Sequence, residues 1–127
     1  MREEVYNWWE QSLKDLESAK KNLSIESYYV TAFLSQQAAE KALKALYIYK
    51  LKDSPGKTHS LLRLGREVGI PSEFYHGLRK LNPDFILTRY PDVADGVPYE
   101  LYDEKIAIDK LKLAEEVLEW VKKELKK

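Results

Sequence analysis

The 127-residue sequence contains no cysteine. Disulfides, thiolate nucleophiles and cysteine-ligated zinc or iron–sulfur sites are therefore excluded at once. Histidine is scarce, with two residues, which argues against a histidine-rich metal centre. Neither sign of charge prevails, since 21 Lys plus Arg balance 21 Asp plus Glu. Nothing global then pulls the chain toward nucleic acid, a membrane or an acidic substrate, and any such partner must be met by a local patch. No apolar run approaches membrane-spanning length. The first residues are charged and Trp-containing rather than a basic segment leading into an apolar one, so no secretory leader is read there. The expectation is a cytoplasmic protein with no membrane partner.

What is present is apolar material and charge. Hydrophobic residues make up 44% of the chain, enough for one real core, and a single domain over residues 1–127 is expected. Charged residues reach 33%, which points to a strongly solvated surface. The excess of Lys over Arg, with Glu and without Cys, is a thermophile-like composition.

Helical periodicity dominates the chain, and no strand-like alternation is found. Over residues 3–23, Val5, Trp9, Leu13, Leu16, Ala19 and Leu23 recur at three- and four-residue steps. Residues 26–51 hold neither Gly nor Pro, and their Ala-rich middle is made of strong helix formers. Tyr29, Phe33, Gln36, Ala39, Leu43 and Leu46 are read as its inward face. The cluster Asp53-Ser54-Pro55-Gly56 ends that helix. Thr58 reads as the N-cap of a short helix closed by Gly69, and Ser72 as the cap of another that ends near Leu81. Residues 82–102 carry three Pro, one Gly and four aromatics without a sustained period. So long an irregular stretch points to a functional loop, and its aromatics to a packed one. Over residues 103–126, Ala107, Leu111, Ala114, Leu118, Val121 and Leu125 form a heptad-like seam, and Ile106, Leu113, Val117 and Trp120 a second stripe. The fold class expected is all-α: an antiparallel up-and-down bundle of three long and two short helices.

Three constellations can carry chemistry. Gln37, Lys41 and Lys44 lie at i, i+4 and i+7 on the second helix, a row able to hold a phosphate or an acidic partner. The alternative is an outer charged face, with Glu40 offsetting Lys44. Thr88-Arg89-Tyr90-Pro91-Asp92 in the long loop combines a guanidinium fork with a stacking ring. Its alternative is an internal clamp, Arg89 paired with Asp84 or Asp92. Lys57-Thr58-His59 at a helix start can bind an anion, or can be ordinary capping with His59 packed on a neighbour. His76, with Arg79 after it, is a lone histidine. Glu115 and Glu116 show no acid–base spacing, and no glycine-rich phosphate loop is found.

These residues also resemble a known family. Trp9 to Ala19 looks like the opening helix of HEPN domains, and Tyr28 to Leu46 resembles their second helix. Thr58-His59-Ser60-Leu61, Arg89-Tyr90-Pro91-Asp92 and Ala114 to Val121 follow in the family's order. The resemblance covers essentially the full chain. It implies a helical bundle, usually a homodimer, often partnered by a separately encoded minimal nucleotidyltransferase in toxin–antitoxin-like pairs. Many family members are metal-independent ribonucleases using an Arg followed closely by a His. None of Arg2, Arg63, Arg66, Arg79 and Arg89 is so followed by His59 or His76. The expectation is a non-nuclease module that binds a nucleotide or RNA end, its nucleotidyltransferase, or both, with no catalytic residue, metal or cofactor assigned. The candidate anion site is Gln37, Lys41, Lys44, Lys57, His59, Arg89, Tyr90 and Asp92. Lys41 and Lys44 hold phosphate oxygens in this reading, Arg89 binds bidentately and Tyr90 stacks a base. The alternatives are a ribonuclease with a displaced His/Arg pair, and a structural helper without ligand.

Overall fold

The second long helix is the axis around which the other elements pack. In the computed structural model, which describes residues 2–127, it runs from Tyr28 to Leu51 and is called α2. Before it lies α1 (Glu3–Ser24) and at the far end of the chain α7 (Glu104–Leu125). Both long helices pack on α2, and α1 also touches α7. Between α2 and α7 come α3 (Leu61–Val68), α4 (Tyr75–Leu81), and the single turns α5 (Asp84–Leu87) and α6 (Pro91–Ala94). Two 3-10 turns, Ser72–Phe74 and Pro98–Leu101, precede α4 and α7. No strand is found among the described residues, and no helix there is long and apolar enough to cross a membrane.

α2 is buried on several sides because its small residues admit close neighbours. Ala38, Ala39, Ala42 and Ala45 are fully buried together with Leu43 and Leu46. The seam of α7 is buried as its spacing predicted, from Ala107 through Leu111, Ala114, Leu118 and Val121 to Leu125. Of the second stripe, Val117 is buried, Leu113 and Trp120 pack half-buried on the core, and Ile106 faces solvent. Gly65 lets α3 approach α4 closely: a Cβ there would stand 2.8 Å from Leu78 and 2.9 Å from Ile70, both buried.

Several local expectations are corrected. Ser60, not Thr58, caps α3 by accepting the Arg63 amide, while Thr58 Oγ1 accepts from the Ser60 amide in the turn before it. Ser72 begins a 3-10 turn instead of capping α4. Tyr29 is exposed, on the side of the first turn of α2 away from Thr31, which is buried against α1 and donates to the Ala19 carbonyl. Residues 82–102 are helical single turns in series rather than irregular loop, and Pro91 and Pro98 stand at the first positions of two of them, where no amide donor is needed.

That segment is held at both ends by one buried carboxylate. Asp84 accepts the Tyr102 hydroxyl at 2.6 Å and lies 2.8 Å from the Lys110 ammonium. Lys110 also donates to the Lys80 carbonyl, and Thr88 to the Asp84 carbonyl. Burial pushes the Asp84 carboxyl above the ordinary range, against the pull of Lys110 and Tyr102. Burial, and the hydrogen bond to Asp84, raise the Tyr102 phenol in turn. Since the folded state raises the Asp84 pKa, its contribution to stability is full at acid pH and is lost as pH rises through the folded value.

Tyr102→Phe removes a donor that favours the ionised carboxylate. It is expected to lower stability at neutral pH by about 1–3 kcal/mol and to move the Asp84 titration further upward. Denaturant unfolding and carboxyl-detected NMR check this, and an unmoved Asp84 titration would show that the hydroxyl does not bond it.

Candidate functional site

Gln36, Glu40 and Lys44 stand at i, i+4 and i+8 on α2, so their side chains form one row. All three are buried. Glu40 is the hub. It accepts the Lys44 ammonium at 3.0 Å and the Gln36 amide at 3.2 Å. His59 Nδ1 lies 3.1 and 3.2 Å from its two oxygens. A carboxylate removed from water is tolerable only when its lone pairs are so occupied. The Trp8 ring of α1 covers the Lys44 ammonium, 5.3 Å from the ring centroid.

His59 reaches Glu40 because it precedes α3, in the linker from α2, and is not part of the helix. Its side chain remains 51% exposed. With Nδ1 turned to Glu40, Nε2 is the nitrogen left for solvent or a ligand. The far face of the ring stacks on Phe85 of α5, with centroids 4.8 Å apart.

Arg89, just past α5, completes the cluster. Its Nε donates to the Phe85 carbonyl at 2.6 Å. The guanidinium carbon lies 5.2 Å from the Phe33 ring centroid, 6.0 Å from that of Phe85 and 5.1 Å from that of Tyr90. The clamp to Asp84 or Asp92 is not formed, because Asp84 is taken by Lys110 and Tyr102. No carboxylate pairs with Arg89 among the described residues. The guanidinium thus rests on aromatic faces, exposed, with unfilled donors.

The remaining candidates fall in other places. Gln37 bonds to Gln36, its amide 2.7 Å from the Gln36 oxygen. Lys41 pairs with Asp15 of α1 at 2.6 Å, and Asp15 also accepts the Gln11 amide. The row Gln37, Lys41, Lys44 is therefore neither an outer charged face nor a set of free cations. Lys41 and Lys44 lie in the seam between α1 and α2, each with its own carboxylate. Lys57 and Asp92 are exposed, on the linker before His59 and in the first turn of α6. Tyr90 precedes α6 and is 45% exposed. His76 lies elsewhere, in a cavity with Glu73, Glu116 and Leu113 between α4 and α7.

The structure thus brings His59 and Arg89 onto the Phe85 ring, with Tyr90 beside the guanidinium and with Glu40 and Lys44 behind His59. The sequence reading missed Phe33, Phe85 and Trp8 as the rings these groups rest on, and saw Glu40 only as an offset to Lys44. The i, i+4 run from Gln36 to Lys44 was the available signal. No group of three or more His, Asp or Glu is placed to hold a metal among the described residues.

The comparisons with known proteins agree with one another. The HEPN domain family matches residues 5–125. The fold is similar to TT1696 from Thermus thermophilus, with a TM-score of 0.87 and 30% identity, covering 97% of this chain and 99% of that one. It is also similar to ST0689, an archaeal HEPN homologue, with a TM-score of 0.83 and 34% identity, covering 98% of this chain and 99% of that one. An HEPN domain protein from Thermotoga maritima shares the fold at a TM-score of 0.71 and 24% identity, over 92% of this chain and 95% of its own. Among curated proteins there is no match.

Glu40→Gln leaves the Lys44 ammonium buried without a countercharge. Its expected cost is about 3–5 kcal/mol, and the double change Glu40→Gln with Lys44→Met should recover most of it. Urea unfolding of the three proteins is the check. A single Glu40→Gln variant as stable as the parent would mean that the pair carries no such burden.

Proposed function

The chain belongs to the HEPN domain family, and on that premise we propose that it is a non-nuclease interaction module that binds a nucleotide at the His59–Arg89–Tyr90 cluster. The observation that carries this reading is the Arg89 guanidinium, seated on three aromatic rings with no carboxylate to satisfy it. A fork so held is preorganised for phosphate oxygens, since Nε is fixed on the Phe85 carbonyl and the terminal N–H donors are unspent. Tyr90 offers an exposed face on which a base stacks. His59, oriented by Glu40, adds a donor from Nε2. Lys57 and Asp92, exposed nearby in sequence, are the peripheral groups of the site. Lys41 and Lys44 serve it from behind: Lys44 neutralises Glu40, and Lys41 fixes α1 to α2. In the same reading the protein works as a homodimer beside a cognate minimal nucleotidyltransferase, in a toxin–antitoxin-like pair. Its neutral net charge fits a short phosphate ligand better than a long nucleic acid.

One observation favours a second reading. A carboxylate behind Nδ1 with Nε2 facing outward is the arrangement of a general base, and Arg89 shares the Phe85 ring with His59. A displaced His/Arg ribonuclease pair would look like this.

Calorimetric titration with nucleoside triphosphates separates the two. Binding is expected, weakened about ten- to hundredfold in Arg89→Ala, the worth of a lost charge-assisted pair. Incubation with RNA is expected to give no cleavage. Cleavage abolished by His59→Ala would install the ribonuclease reading, and binding indifferent to Arg89→Ala would remove the phosphate assignment.

A further inference from the structure

Five of the eleven large apolar side chains that remain exposed lie around the junction of α1 and α2 and the 3-10 turn before α7. Ile25 follows α1 and Tyr29 lies in the first turn of α2, Val97 precedes the 3-10 turn that packs against that helix, and Tyr99 and Leu101 are on it. Between them runs an open groove of about 530 Å³, walled by Ile25, Tyr28, Tyr29, Tyr99 and Tyr102. Glu26 and Glu100 stand on its rim, and no Lys, Arg or His lines it. Asp103 and Glu104 lie close as well. With Glu26 they add to burial in holding the Tyr28 hydroxyl above its ordinary range.

Several carboxylates elsewhere in the molecule are neutralised by a neighbour. Glu17, Glu40, Glu67, Asp109 and Glu124 each have a cationic partner. Glu26, Glu100, Asp103 and Glu104 are in no ion pair among the described residues, although Asp103 caps α7 by accepting the Ile106 amide. Tyrosine faces beside unneutralised carboxylates suit a guanidinium or ammonium, which stacks on one and pairs with the other. The apolar walls accept the aliphatic stems of such side chains. Two copies meeting across this groove would instead bring two sets of like charges together, which opposes that pairing.

We propose that this groove is a docking site for an arginine- and lysine-rich segment of a partner protein. The proposal does not rest on the nucleotide reading, although Tyr29 is one helical turn from Phe33, beneath Arg89. A docked segment would lie one helical turn from that cluster.

The test is fluorescence anisotropy with a labelled oligo-arginine peptide and an oligo-glutamate control. Tyr99→Ala and Glu100→Lys alter exposed side chains of the groove, and Glu119→Lys makes the same charge change on α7. Circular dichroism confirms that each variant stays helical. The expected result is binding of the arginine peptide alone, steeply weakened by salt. Tyr99→Ala and Glu100→Lys should each weaken it about tenfold or more, whereas Glu119→Lys and Arg89→Ala leave it nearly unchanged. Absence of binding, or equal loss in Glu100→Lys and Glu119→Lys, overturns the proposal. So does self-association in sedimentation that Tyr99→Ala abolishes, since the groove would then be covered by a second copy.

Discussion

A charge in the interior of a bundle must be answered by the residues around it, and here the charge is Glu40. Its carboxylate is nearly out of solvent on the central helix. Three side chains meet it, each tying down a different piece of the molecule. Lys44 neutralises it under Trp8, which fixes the start of α1 against α2. Gln36 extends the network along α2 to Gln37. His59 brings the α2–α3 linker onto the helix and holds Phe85 by stacking. Such a network is worth little as net stability, because desolvation offsets most of the attraction. Its consequence is geometric: the contacts to Glu40 and Lys44 set where α1 and the α2–α3 linker sit on α2.

The second anchor acts on the same principle farther along the chain. Asp84 is a buried carboxylate shared between Tyr102 and Lys110, so the two ends of the 82–102 segment are tied to each other and, through Lys110, to α7. The Asn82 side chain meanwhile accepts the Leu61 amide at the start of α3. Between these fixed points Arg89 lies over Phe33, Phe85 and Tyr90. An exposed arginine is ordinarily floppy and strongly hydrated. Placed on three rings, it is preorganised, and less entropy is lost when it meets an anion.

The sequence made the long helices legible, because apolar periodicity reports burial directly. The seam of α7, from Ala107 to Leu125, reads correctly for that reason. The polar interior does not announce itself this way. Glu40 and Lys44 are one i, i+4 pair among several, and spacing alone cannot tell it from the exposed Lys21–Glu17 pair. What separates them is tertiary: α1 lies over the first and water over the second. The same holds for Asp15 and Lys41. The 82–102 segment reads as ordered and aromatic. Its single helical turns have no periodic signature, because each is shorter than one hydrophobic period, although Pro91 and Pro98 mark where two begin. Arg89 and Tyr90 read as a cluster, whereas the rings of Phe33 and Phe85 that meet Arg89 come from α2 and α5 and have no local signature.

The HEPN fold sets the frame, and the polar core decides what is presented at its surface. Glu40 turns His59 so that Nδ1 faces inward and Nε2 faces out, beside an arginine held on aromatic rings. The most direct test of this account is the tautomer of neutral His59, read from two-bond proton–nitrogen correlations of nitrogen-labelled protein. The proton is expected on Nδ1, donated to the Glu40 carboxylate, and the Glu40→Gln variant should lose that preference. A proton on Nε2 would set a ring lone pair against the buried carboxylate, and would contradict the claim that Glu40 organises the site.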